Sequence, residues 1–275
     1  MPASADNLDE EVSSQVSVEN RPRRSCLAVP GSSQKFIDKA RTLPADQIFL
    51  DLEDACAPLV KPEARKTIVA ALNEGGWEGK TRVVRVNDWT TEWTYRDVTE
   101  VVEGAGANLD ATIVFGPADF MASINMKSLV VGEQPPGYTE GDAYHYILMQ
   151  ILMAARANDL QAIDGPYLQI RDVDGFRRVA NRAAALGYDG KWVLHPGQID
   201  AANETFSPSQ EDYDHAENIL DAYEWFTSEA GGAKGSAMLG DEMIDEASRK
   251  MALVIAGKGR AAGMTRGERW TPPEN

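Results

Sequence analysis

Cysteine is nearly absent: Cys26 and Cys56 are the only two in 275 residues. Neither stands in a CxxC or His–Cys spacing, which excludes a zinc cluster or a dithiol redox pair and fits a reducing cytoplasm. Long apolar runs are also missing, so no stretch reads as a bilayer span, and "MPASADNLDEEVSSQVSVEN" lacks the basic start and apolar core of a secretory signal. Positive charge is in deficit, with 27 Lys and Arg against 43 Asp and Glu, a net charge of −16 and a pI near 4.6. Such a surface repels nucleic-acid backbones and anionic membranes. The plain meaning of the excess acid is solubility, so charge excludes partners without naming one.

What is present is a hydrophobic content of 43%, enough in a chain of this length for one large core or two modest ones; one large α/β domain is expected. Residues 1–22 read as a disordered tail. From Arg24 onward a short β-rich run, a polar or Gly/Pro break and a stretch of helical apolar spacing recur, the rhythm of parallel βα units. Strands are expected in "SCLAVPG", "QIFLDLED", "TRVVRVN", "TIVFGPADF", "LQAIDGPYL" and "KWVLHPGQI", each with its polar or special residues at the C-terminal end, where α/β barrels gather catalytic groups. Helices are expected in "KPEARKTIVAALNE", "TYRDVTEVVEGAG", "YHYILMQILMAARAND" and "GFRRVANRAAALG", with apolar stripes that pack outside the sheet. Further on, "PSQEDYDHAENILDAYEWFTSEAGGAKGS" reads as a capped helix running into a Gly-rich hinge at 231–235, and "AMLGDEMIDEASRKMALVIAGKGRAAG" as a turn and helix. A segment so tethered can swing as a lid or reach a neighbouring subunit; a simple closing helix is the alternative.

The pieces "RSCLAVPGSSQKFIDKA", "DQIFLDLEDACAPLVKPEARK", "RVVRVND", "FGPADFMAS", "DGPYLQIRD", "GKWVLHPGQI" and "LGDEMIDEA", in this order, resemble the citrate lyase β-subunit-like (HpcH/HpaI aldolase/citrate lyase) family, nearest its malyl-CoA/β-methylmalyl-CoA lyases. The resemblance spans nearly everything after Arg23. It implies a TIM (β/α)8 barrel with a C-terminal lid or arm, arranged here as an incomplete barrel over 23–230 and a hinge and lid over 231–275. It implies Mg²⁺ or Mn²⁺ as cofactor, a CoA thioester as substrate, reversible Claisen or aldol-type carbon–carbon cleavage, and a homo-oligomer, trimer or hexamer, with a cytoplasmic location.

The same resemblance suggests roles. Arg85 is the substrate arginine, a permanently charged fork suited to a carboxylate or enolate oxygen; a surface ion pair is the alternative. Asp119 is the metal ligand, a hard oxygen donor, or else a helix cap. Glu53 and Asp54, from "DLED", stand behind the arginine and the metal. Lys39 meets CoA phosphates, with Lys35 a substitute for an arginine that Ser33 replaces. His195 and Pro196 border the CoA adenine through backbone and shape. Asp245 is the acid/base residue on the lid, needing a carboxyl whose pKa rises on closure, with Asp241 and Glu242 as nearby rivals.

Relative to the family pattern one feature is missing. Two strands, the second carrying a metal-binding glutamate, belong between "LD" and "TIVFGPADF", yet Ala111 runs straight into Thr112. About two βα units of roughly 30 residues each are expected to be absent, leaving six strands where a closed barrel has eight. Three functions follow as alternatives: a CoA-ester lyase, a malate-forming CoA thioesterase and a non-catalytic CoA-binding protein.

Overall fold

In a computed structural model of the chain, residues 21–88, 91–110, 113–131, 133–135, 137–267 and 269–272 are described. The expected tail, apart from Arg21 and Pro22, and the Ala111–Thr112 junction lie outside them. Contacts divide the chain into two compact units between Phe206 and Ser207.

The first unit alternates strand and helix: β1 (Ser25–Pro30), α1 (Gln34–Thr42), β2 (Gln47–Asp51), α2 (Lys61–Glu74), β3 (Thr81–Arg85), α3 (Thr94–Ala105), β4 (Ile113–Val114), α4 (Pro117–Ser123), α5 (His145–Arg156), β5 (Ala162–Asp164), α6 (Val173–Leu186), β6 (Gly190–Val193) and α7 (Ile199–Thr205). All six strands are parallel, in the order β3-β2-β1-β6-β5-β4. Each strand falls where the sequence places one. Their side chains serve two cores, as period-two alternation requires. Leu27, Val29, Ile48 and Leu50 join the large cluster that includes the helices, while Cys26, Phe49 and Ile163 form a small cluster with Ala28, Val83, Val114 and Trp192. Where β1 ends, Gly31 donates its N–H to the Asp51 carbonyl, and a Cβ there would lie 2.5 Å from Ile68 Cδ1. Only glycine lets that turn sit so close to β2 and α2.

The strand order is that of a barrel wall open between β3 and β4. The Asp110 N–H donates to the Arg82 carbonyl on the β3 edge at 2.8 Å, whereas Ile113 pairs with Ala162 of β5 at the other edge. Three Cα steps therefore carry the chain from one edge of the sheet to the other, a reach of about 11 Å at most.

The second unit holds α8 (Gln210–Thr227), a hairpin of β7 (Ser236–Leu239) and β8 (Glu242–Asp245), and α9 (Glu246–Ala261). Ala216, Ile219 and Ala222 of α8 pack with Ile244, Ala252 and Ala256. The helices approach so closely that a Cβ on Gly259 would lie 2.2 Å from the Tyr213 ring. Because α8 shares its apolar face with α9, the contacts group both with the hairpin, and the division falls at Phe206/Ser207. The Gly-rich stretch is correspondingly a folded turn instead of a free tether. Ala233 and Lys234 donate back to the Ser228 and Phe226 carbonyls, and a Cβ on Gly231 would lie 2.1 Å from the Trp225 carbonyl oxygen. A hairpin stands where the sequence reading expects a turn and helix, its two-residue Gly240–Asp241 loop supplied by a glycine at φ +60°. No helix among the described residues is long and apolar enough to cross a membrane.

Candidate active site

The C-terminal ends of β2 and β3 build the site. Asp51 closes β2 and Arg85 closes β3, in direct register, so the pair meets without any loop having to place it. The guanidinium donates through Nε to Asp51 Oδ1 at 2.9 Å and through Nη2 to Oδ2 at 2.5 Å, a two-pronged contact whose carboxylate is only 2% exposed. Its remaining nitrogen, Nη1, lies 3.0 Å from Glu53 and 3.1 Å from Asp54. Beneath it the Trp192 ring sits 5.0 Å from the guanidinium carbon. Burial works against the charge of Arg85, but the bonds and fields of Asp51, Glu53 and Asp54 prevail and hold its pKa above the ordinary value.

Glu53 behaves differently. Burial raises its carboxyl pKa, Arg85 opposes that rise, and the negative charges of Asp54, Asp51 and Asp119 reinforce it. That influence brings Asp119, in the first turn of α4, into the electrostatic surroundings of Glu53. Three carboxylates thus share one guanidinium, and Asp119 adds a further negative charge felt at Glu53. Hard oxygen donors in excess of cation are the chemistry a divalent ion takes, but among the described residues no three metal-ligating side chains come together. The donor set has the right character and is short in number.

The other expected residues make contacts of their own. Lys39 is exposed in the last turn of α1, Lys35 is exposed near its start, and Ser33, at the cap position, makes no side-chain cap bond. Exposed His195 accepts the Gly197 N–H on Nδ1 at 3.0 Å, opening a short 3-10 turn that starts at Pro196. Asp245 belongs to the second unit, where it caps α9, accepting from the backbone N–H groups of Ala247 and Ser248 at 2.9 and 3.0 Å. Those bonds hold its carboxyl below the usual range, opposite in direction to the rise expected of a closed lid. Nearby, Glu242 pairs with His215 at 2.8 Å.

Residues not assigned from the sequence also shape the site. Asp51 is the principal partner of Arg85, and Lys61, Arg65, Asn87 and Asp97 form a buried polar network behind it. A signal for part of this exists: Lys61 and Arg65 occupy the same helical stripe as Ala64, Ile68, Ala71 and Leu72, so two cations lie on the face that packs inward.

The sequence profile of the HpcH/HpaI aldolase/citrate lyase family matches this chain over residues 24–109 and again over 107–196. The chain is 31% identical to an L-malyl-CoA/β-methylmalyl-CoA lyase of Cereibacter sphaeroides, covering 86% of this chain and 94% of the lyase. That alignment runs over 301 positions; 86% of 275 residues is about 236, so about 65 positions have no residue of this chain opposite them. It is 32% identical to a (3S)-malyl-CoA thioesterase of the same species, covering 74% of this chain and 84% of the thioesterase. Among solved structures, the CitE protein of Mycobacterium tuberculosis with magnesium, acetoacetate and coenzyme A superposes with a TM-score of 0.65 at 25% identity, covering 88% of this chain and 98% of that one. A citrate lyase from Burkholderia xenovorans shares the fold with a TM-score of 0.70 at 17% identity, over 89% and 93% of the two chains. With its strands in the order of an opened barrel, its Arg–Asp pair at their C-terminal ends and these matches over most of its length, the chain belongs to the HpcH/HpaI aldolase/citrate lyase family.

Proposed function

We propose that this protein descends from, and in complete form acts as, a divalent-metal-dependent CoA-ester lyase that cleaves a 3-hydroxyacyl-CoA such as malyl-CoA to acetyl-CoA and glyoxylate. The observation that carries the reading is Arg85, locked by Asp51 at the C-terminal end of β3 with Nη1 turned toward Glu53 and Asp54. A fixed guanidinium at that place can hold a carboxylate or the developing thioester enolate without giving up a proton. Asp119 would hold the Mg²⁺ or Mn²⁺, with Glu53 and Asp54 behind it. Such an ion acts as a Lewis acid on the oxygens of the glyoxylate half. Lys39, His195 and Pro196 are assigned to the CoA moiety, and Asp245, brought by the C-terminal unit, to the proton at the acetyl methyl carbon. The lysine, histidine and Asp245 assignments rest on the family pattern, as do a homo-oligomer and a cytoplasmic location.

Two βα units are proposed to be missing between Asp110 and Ile113. The two family matches that meet at 107–109 and the open edges at β3 and β4 support that place, and the number of unmatched positions in the lyase alignment supports the size of the gap. The missing strands would bring the remaining metal ligand, which accounts for a donor set short in number. The likeness to a thioesterase favours a second reading, malyl-CoA hydrolysis at the same site.

The test is product analysis. Malyl-CoA and Mg²⁺ are incubated with the complete protein, the two βα units included, and glyoxylate, acetyl-CoA, free CoASH and malate are quantified with and without EDTA. Glyoxylate and acetyl-CoA, abolished by EDTA, are expected; CoASH with malate would replace the lyase by the thioesterase. Full activity in demetallated protein would remove the metal from the proposal.

A further inference from the structure

Behind the site lies a buried cation with no carboxylate partner among the described residues. Lys61, 4% exposed at the start of α2, directs its ammonium to three oxygens: the Leu52 carbonyl at 2.5 Å, the Glu53 carbonyl at 2.8 Å and Asn87 Oδ1 at 2.8 Å. Asn87, two residues past Arg85, donates its own amide to the Leu52 carbonyl at 2.9 Å and to Asp97 at 2.5 Å. Asp97, wholly buried, also receives Arg65 at 2.9 Å. The segment that leaves β2 with Glu53 and Asp54 and the segment that leaves β3 after Arg85 are therefore clamped to one another from below. The clamp consists of side chains from α2 and α3, and its centre is Lys61.

We infer that Lys61 is a positioning residue for the reaction centre, fixing the 52–54 turn against the end of β3 so that Arg85 keeps its two-pronged grip on Asp51 and its third nitrogen on Glu53 and Asp54. This rests on the reading of Arg85 and Glu53 as the site. Stability alone gives a poor reason for a lysine here. Removing an ammonium from water without a paired charge is costly, and an apolar side chain of similar volume often serves a core as well or better. What a methionine cannot do is draw three oxygens from two loops to one point. An arginine cannot do so either, because its donors lie in a plane. The Asp51–Arg85 register supplies the pair; Lys61 determines where the carboxylates that follow Asp51 stand relative to it.

The experiment needs no substrate, so it separates this inference from the lyase reading. In ¹⁵N-labelled protein, exchange of the Arg85 Nε–H and of the amides of residues 53–55 is measured by NMR in the parent and in Lys61→Met, under conditions where both are folded by circular dichroism. Loss of the clamp is expected to speed these exchanges about tenfold or more, the consequence of losing a hydrogen bond from a charged donor, while amides of β5 and β6 keep their parental rates. A lowered melting temperature with Arg85 Nε–H and residues 53–55 still at parental rates would make Lys61 a stability element only and overturn the inference. Should Lys61→Met fail to fold, Asn87→Ala removes one acceptor of Lys61 and one donor to Leu52 while leaving the charge. Faster local exchange is expected there too, and unchanged exchange overturns the inference equally.

Discussion

At the scale of single residues, the balance at Arg85 decides what each substitution does. Arg85→Ala leaves Asp51, 2% exposed, as a carboxylate without its cation, a loss of about 3–5 kcal/mol in buried pairs. Arg85→Lys keeps a charge but not the fork. We expect Arg85→Lys to melt within a few degrees of the parent and to lose most turnover, and Arg85→Ala to lose both; parental turnover in the lysine variant would refute the assignment. Glu53 gives the opposite test. Its folded pKa is raised above the unfolded value, so the folded state holds the proton more tightly. The stability this contributes is present below the unfolded pKa, near 4.5, and is lost as pH rises through the folded value. Glu53→Gln should therefore raise the melting temperature at pH 7 relative to the parent and do so less at pH 4, which thermal melts at the two values would check. The family resemblance pointed to Arg85, Glu53 and Asp54 at the ends of two apolar runs, and the structure brings these three side chains together. The pairing of Arg85 with Asp51, 34 positions away, was not legible in the sequence, since it depends on register.

At the scale of elements, the sequence delimits best what periodicity controls. The stretch expected as a helix from Lys61 to Glu74 is α2 to the residue, because an apolar stripe bounded by a proline start and a Gly-Gly end leaves little choice. The hairpin before α9 escaped because its strands are four residues each and largely exposed, too short for alternation to outweigh a neighbouring helix pattern. Asp245 shows the same competition within one residue. It completes a capping box with Ser248 on α9, so a substitution can act through the helix or through chemistry. Asparagine caps as well as aspartate, and this separates the two. Asp245→Asn should leave the melting temperature near parental and abolish lyase turnover in a complete chain, whereas Asp245→Ala should lower both. Equal destabilisation by the two variants, or retained turnover in Asp245→Asn, would confine Asp245 to its cap.

At the scale of the whole molecule, six strands and their direction were readable, because each βα unit announces itself locally and units can be counted. Which helix belongs to which unit was not, since the partnership of α8 with α9 is made by packing between residues as far apart as Tyr213 and Gly259. If the gap reflects two lost βα units, the natural protein should exceed the 30.0 kDa of this chain by about 60 residues. Intact mass spectrometry of protein from its source would check this, and a mass of 30.0 kDa would make the short sheet genuine. The open wall at β3 and β4 has a consequence of its own for the chain as written. Unpaired strand edges are templates for other strands, so two molecules meeting edge to edge satisfy donors and acceptors that a single molecule leaves to water. Self-association of this kind is bimolecular: dilution would preserve the monomer, concentration would deplete it, and ordinary crowding would turn the same backbone that should have closed a barrel into an adhesive.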